Sequence, residues 1–277
     1  MKKVLSVFLI LFFVVGCNQE KQIDTVINDT NIVKEQRNSF IKDSREIVIT
    51  KEEPVVNKPL PQEDLPIVGN SRLIVIDAGH QRYGNNEQEP IGPGASETKA
   101  KVTSGATGVV TGKLESLINL EVAFKLKDKL EASGYQVIMV RTSQDVDMSN
   151  SERAKIANEN NAGAFIRIHC NSDSSSEAKG ALTIAPSTSN QYCHQIADAS
   201  QALSKSVLNN ICNETGAKNR GVMISDTMSG INWCQVPVTI VEMGFLSNPE
   251  EDRLLSDSNY QDKIVSGIVK GINEYMN

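Results

Sequence analysis

Aromatic residues are scarce in this 277-residue chain, at 5% with a single tryptophan, and histidine occurs only three times. An excess of basic charge is also missing: 28 Lys and Arg stand against 34 Asp and Glu, a formal net charge of −6. A non-specific nucleic-acid binder needs a basic face to displace counterions, so no nucleic-acid partner is expected. No second long apolar run follows the N-terminal one, which excludes a polytopic membrane protein. The five cysteines never stand as C-x-x-C, so a thiolate zinc site is not expected. No internal repeat is found, which removes solenoids and propellers. What is present, at 39% hydrophobic residues, suffices for one sizeable core behind a targeting segment.

That segment is short. Lys2 and Lys3 precede an apolar stretch from Val4 to Val15, broken only by Ser6. Its proportions are those of a secretory h-region rather than a bilayer span. It ends in Val14-Val15-Gly16-Cys17, which resembles a bacterial lipobox. Residues 1–17 are therefore expected to be a lipoprotein signal peptide, with Cys17 lipidated and left as the mature N-terminus. An ordinary signal peptide with an incidental Cys17 is the alternative. Residues 18–70 have one aromatic, Phe40, and carry Pro54, Pro59, Pro61 and Pro66 in their second half. Such composition buries too little apolar area to offset chain entropy and predicts an extended tether. A short strand over 46–50 is conceivable there but has no obvious partner. Residues 71–277 form the folded domain on this reading.

Within that domain, strand and helix patterns alternate. Apolar runs predict strands over 73–77, 135–140, 164–169, 180–185 and 238–242. Helices are predicted over 115–133, 151–161 and 188–213, and a last helix turns Ile264, Ile268, Ile272 and Tyr275 to the core. In the first of these, Leu117, Leu120, Phe124 and Leu130 share a face and Gly134 supplies a stop. The implied class is α/β: a three-layer sandwich with a mostly parallel sheet of about six strands and helices on both faces. Ligands in such folds sit beyond the carboxyl ends of the strands.

The rare residues stand at those ends. His80 closes IVIDAGH and His169 closes AFIRIH; two imidazoles converging there suit a divalent transition metal. Glu115 opens the helix after the long first loop and is the candidate third ligand. Glu242 ends the buried run VTIVE, where a carboxylate costs free energy unless it is paired or functional. Two histidines, a glutamate ligand and a further glutamate make a sensible catalytic zinc set. The bland alternatives are polar strand caps for the histidines, a dipole-favoured acid for Glu115 and an ion pair to Arg220 or Arg141 for Glu242. His194 reads as a surface side chain and Trp233 as core. Arg220 and Arg153 could bind a substrate carboxylate through paired hydrogen bonds, with Arg153 the more structural of the two. Cys170, Cys193, Cys212 and Cys234 permit two disulfides in three connectivities; free buried thiols are equally open, since a core this size needs no staples.

Six motifs in order then resemble one family, the zinc-dependent N-acetylmuramoyl-L-alanine amidases. IVIDAGH at 74–80 looks like the family's strand-then-Gly-His element, and Glu115 stands four residues before Asn119-Leu120 as the family's glutamate does. Arg141-Thr142 with Asp145 resembles T-R-x-x-D-type segments, and Arg153 with Ala157-Asn158 matches R-x-x-x-A-N. Arg167-Ile168-His169-Cys170-Asn171 looks like the S-I-H-x-N element that carries the family's second zinc histidine. Glu242-Met243-Gly244-Phe245 through Asn248 matches E-x-G-F-x-x-N. The resemblance covers residues 73–277 and implies zinc on His80, Glu115 and His169, with Glu242 as the catalytic base. Arg220 and Asn171 are candidate substrate-binding residues. The implied partner is peptidoglycan, cut between N-acetylmuramic acid and the L-alanine of the stem peptide. Another zinc peptidase acting on the stem, or a non-catalytic wall-binding lipoprotein, are the alternatives. The expected protein is a monomer, extracytoplasmic and lipid-anchored to the cell membrane. Two departures stand out. Ala78 and Gln81 replace the usual Pro and Gly around the first Gly-His, and the 81–112 segment is longer than the family's short loop, as in a clostridia-like subgroup. A loop of that length is expected to shape the substrate groove.

Overall fold

LIVIDA has no polar residue before its fifth position, and it folds as β1 (Leu73–Ala78), interior to its sheet and buried after its first residue. The computed structural model describes residues 72–277. The signal segment, the tether, Cys17 and the conceivable strand over 46–50 lie outside the described residues. After β1 come β2 (Asn85–Pro90), β3 (Thr98–Val102), α1 (Glu115–Ala132), β4 (Gln136–Met139) and α2 (Asn150–Glu159). Then follow β5 (Ala164–Asn171), β6 (Ala181–Ala185), α3 (Ala197–Thr215), β7 (Asn219–Ile224), α4 (Ser229–Asn232), β8 (Val238–Phe245), α5 (Pro249–Ser256) and α6 (Ser258–Met276).

The main sheet has six strands in the order β4-β1-β5-β8-β6-β7. The first four are mutually parallel, β6 runs antiparallel to β8, and β7 is parallel to β6. The sheet is thus mixed. One face packs α1, α3 and α6 around Ile74, Ile76, Ile166 and Ile168; the other packs α2 and α4 around Val75, Phe165 and Val238. The expected α/β sandwich with helices on both faces is borne out. Gly267 and Gly271 let α6 lie against α3, because a Cβ at either would press on the backbone of Ile211 or Val207.

Local expectations needed correction at three places. In α1 the buried stripe is Ile118, Val122, Leu126 and Leu130, four residues apart, while Leu117 is 37% and Phe124 40% exposed. The helix expected from 188 starts with a 3₁₀ turn at His194–Ile196. Asn190 explains this: its side-chain oxygen Oδ1 accepts from the Tyr192 and Cys193 N–H groups, capping the chain just before the turn. The strands β2, β3 and β7 and the short helices α4 and α5 were not expected. β2 (NNEQEP) has no apolar alternation. Its hairpin partner β3 and the buried Glu89, which accepts from Asn150 N, Ser151 N and Ser151 Oγ at the start of α2, hold it in place.

Of the cysteine alternatives, the thiols are free at Cys170, Cys193, Cys212 and Cys234. Beneath the strand ends lies a buried ion network. Asp77 Oδ1 sits 2.7 Å from Arg153 Nη1 and Asp77 Oδ2 2.9 Å from Arg167 Nε. Burial alone would raise the Asp77 carboxyl, but the two guanidiniums hold it well below the usual carboxylate range. Removing this one acid strands two buried cations. Asp77→Asn is therefore expected to lower unfolding stability by about 3–5 kcal/mol in denaturant titration. An unchanged midpoint would mean the network carries no net stability.

Candidate metal centre

Three strand ends and one helix start meet here. His80 follows β1 in a left-handed conformation, φ +59°, a strained state for a non-glycine residue that is typical of functional sites. Glu115 is the first residue of α1. His169 and Glu242 are cross-strand partners in the β5–β8 register, so their side chains share one face.

Glu115 is the hub. Its Oε1 lies 3.1 Å from His80 Nε2 and 3.2 Å from His169 Nδ1. The His80 and His169 rings meet edge to face, with centroids 4.7 Å apart. The remaining capacity of the carboxylate is filled by Ala106 N–H at 2.8 Å, Cys170 N–H at 3.1 Å and the Asn119 amide at 3.3 Å. Burial alone would raise the Glu115 carboxyl; the hydrogen bonds to His169 and His80 outweigh it and keep the group ionised. His80 Nδ1 lies 2.8 Å from the Thr103 carbonyl oxygen. The carbonyl can only accept, so Nδ1 carries a proton and Nε2 is the nitrogen turned to the cluster. Burial lowers the His169 imidazole to about 4 even against its hydrogen bond to Glu115. A neutral His169 beside an ionised Glu115 suits a divalent ion. One ligand atom from each of the three residues lies within 4.8 Å of the others, so the donor set fits a metal such as zinc. No room is wasted behind it: a Cβ at Gly79 would overlap the His169 ring.

Glu242 stands apart from the three. Its Oε2 is enclosed and hydrogen-bonds to nothing among the described residues. Burial, and then the charge on Glu115, push its carboxyl up to about 8. The conceivable partner Arg141 is spent elsewhere, on the carbonyls of Ala78, Gly79, Ser116 and Ser143. A half-buried acid without a partner, beside a metal-type donor set, is a group poised to exchange a proton.

The family model described as Amidase_3, N-acetylmuramoyl-L-alanine amidase, matches residues 74–274. The chain belongs to this amidase family. It is 32% identical over 188 residues to the germination-specific N-acetylmuramoyl-L-alanine amidase of Bacillus subtilis, covering 61% of this chain and 73% of that one. The catalytic domain of CwlV, an N-acetylmuramoyl-L-alanine amidase from Bacillus (Paenibacillus) polymyxa, superposes with a TM-score of 0.59 at 27% identity, covering 73% of this chain and 97% of that one. Ami1 from Mycobacterium smegmatis shares the fold with a TM-score of 0.67 at 22% identity, over 74% of this chain and 96% of that one. The chain is accordingly an enzyme of the amidase class.

In this amidase two cavities flank the cluster. One, about 380 Å³, is lined by Gly105, Ala106, Asn171 and Ser172 as well as the three donors and Glu242. The other, about 480 Å³, runs past His80, His169 and Glu242 toward Lys99, Arg167, Thr227 and Gly230. The long 81–112 segment lines both, through Thr103, Gly105 and Ala106. Gln81, at the place of the family's glycine, is buried and ties that segment down: it accepts from Arg153 Nη2 and Met148 N and donates to Asp147. Asn171 therefore reaches the site. Arg220 does not; its guanidinium lies over the Phe245 ring, 4.9 Å from the centroid. Arg153 is fully buried on Asp77, and His194 is at the surface. Trp233 packs on the second core and donates to the Pro90 carbonyl. Sequence reasoning passed over Asp77 and Thr103. The first had a signal, an acid inside an apolar run; the second acts through a backbone carbonyl that any residue could supply.

Proposed function

We propose that this enzyme hydrolyses the amide between N-acetylmuramic acid and the L-alanine of the peptidoglycan stem peptide. The observation that carries this reading is the pairing of a His80–Glu115–His169 donor set with the unpartnered Glu242 in a chain of the amidase family. The implied cofactor is Zn2+; when bound it supplies a Lewis acid and lowers the pKa of water. His80, Glu115 and His169 are the residues that hold it. Glu242 takes the proton of the attacking water and delivers it to the leaving α-amine of L-alanine, a task its raised carboxyl suits. The 81–112 segment and Asn171 shape the groove on either side. Incubating purified chain with peptidoglycan and reading the products by mass spectrometry tests the proposal. Release of intact stem peptides beginning with L-alanine is expected. Cleavage only between amino acids of the stem would make it a peptidase instead, and no cleavage would leave a wall-binding protein.

The enzyme works outside the cytoplasm as a monomer anchored to the membrane through lipid on Cys17, with residues 1–17 removed and residues 18–70 as tether to the catalytic domain at 71–277. No helix of the described residues is long and apolar enough to cross a membrane. A flexible coil of the tether's length spans on the order of 40 Å. That reach suits wall laid down next to the membrane. Cys17→Ser is expected to move the protein out of the membrane fraction without altering catalysis by the domain; equal membrane retention would refute the lipid anchor.

A further inference from the structure

We infer that Arg167 reads a free carboxylate on the stem peptide, making the enzyme selective for stems whose second residue is not amidated; the inference rests on the amidase reading above. Arg167 occupies the position where the family motif has serine. It lies two residues before His169 on the same face of β5, and Ile240, its cross-strand partner, is two residues before Glu242. Its side chain is only 3% exposed, yet it lines the larger cavity. Nε is held by Asp77 Oδ2 at 2.9 Å and Nη2 by Asn150 Oδ1 at 2.8 Å. Nη1 hydrogen-bonds to nothing among the described residues. It lies beside Gly230 in the cavity wall, so close that a Cβ at that position would overlap it.

The charge balance points the same way. Within the ion network a single acid, Asp77, serves two buried guanidiniums, Arg153 and Arg167. Lys99 adds a second cation to the cavity lining, its Nζ fixed 2.8 Å from the Thr227 carbonyl, and Glu242 is the one acid in that lining. A rigid guanidinium with a free N–H, backed by a second cation and shielded from water, is suited to a carboxylate. The reach also agrees. Two residues along a strand advance about 7 Å, and two residues of extended peptide span about the same. A stem lying along the cavity from the donor set would bring its second residue to Arg167. When that residue is glutamate joined through its γ-carboxyl, the α-carboxylate is free to meet Nη1.

The test uses the zinc-loaded full chain and two disaccharide-tripeptide muropeptides that differ only at the second residue, α-carboxylate in one and α-carboxamide in the other. A charge-assisted hydrogen bond predicts a kcat/KM ratio of about 10 to 100 in favour of the carboxylate, carried mainly by KM. Arg167→Ser, which installs the family's residue and leaves Asp77 paired to Arg153, is expected to bring the ratio near one. Gly230→Ala, which displaces Nη1 without removing the charge, is expected to reduce it as well. Circular dichroism confirms that both variants are folded. Equal cleavage of the two muropeptides by the wild type, or a ratio that survives Arg167→Ser, overturns the inference and leaves the amidase reading standing. Cleavage of neither by the wild type overturns both.

Discussion

Glu242→Gln is expected to keep its metal and lose about 10²–10⁴-fold in turnover, the range typical of a lost general base. Gln matches the shape of the side chain but cannot accept a proton. The metal should stay because Glu242 is not among the three converging donors. A second signature distinguishes this substitution from general damage. The Glu242 carboxyl is raised to about 8 by burial and by Glu115, above an unfolded value of about 4.3. A raised carboxyl contributes stability that is fully present below the unfolded value and is lost as pH rises through the folded one. Metal-free wild type should therefore lose stability relative to Glu242→Gln as pH rises from 5 to 9, a comparison from which the opposing contribution of the lowered His169 imidazole cancels. Single-turnover assays and thermal unfolding across pH check both halves. Near wild-type turnover in the variant would transfer the base role to another group.

His80→Ala and His169→Ala should each abolish measurable turnover and strip the protein of zinc. Each removes one of three donors arranged on Glu115 at 3.1 and 3.2 Å, and three protein ligands are the minimum of a catalytic zinc site. Loss of an orienting partner typically costs 10–100-fold in metal affinity, so loss of a ligand should exceed that range. Asn119→Ala, which removes an amide from Glu115, should fall inside it. Metal analysis of the wild type should find about one zinc per chain, and a chelator should silence it reversibly. A metal-free wild type that keeps its activity in chelator would sink the assignment.

The rarity of histidine made half of this centre legible. With only three in the chain, two at the ends of apolar runs drew attention, and Glu242 did so because an acid closing VTIVE must be paid for. Asn171, a substrate-binding candidate from the motif resemblance, lines the smaller cavity. Arg220 was misleading because sequence shows a cation but not its direction, and here it stacks on Phe245. The face of α1 was misjudged for a related reason: Leu117 and Phe124 are as apolar as Ile118 and Leu126, and only packing against the sheet decided which were covered.

By itself, then, the sequence determined what is local. Apolar runs set the buried strands, Ser149 and Glu152 close a capping box at the start of α2, and the identities of His80, Glu115, His169 and Glu242 dictate the chemistry they can perform. The tertiary structure alone decided what is adjacent. It set β8 beside β5, so that Glu242 faces His169, and turned β6 and β7 against the other strands. It folded the 81–112 segment over Glu115 and left one nitrogen of Arg167 facing a cavity. Those outcomes rest on hydrogen bonds and ion pairs between residues tens of positions apart, such as Asp77 with Arg167. Local periodicity encodes which face of an element is apolar; it does not encode which element will cover it.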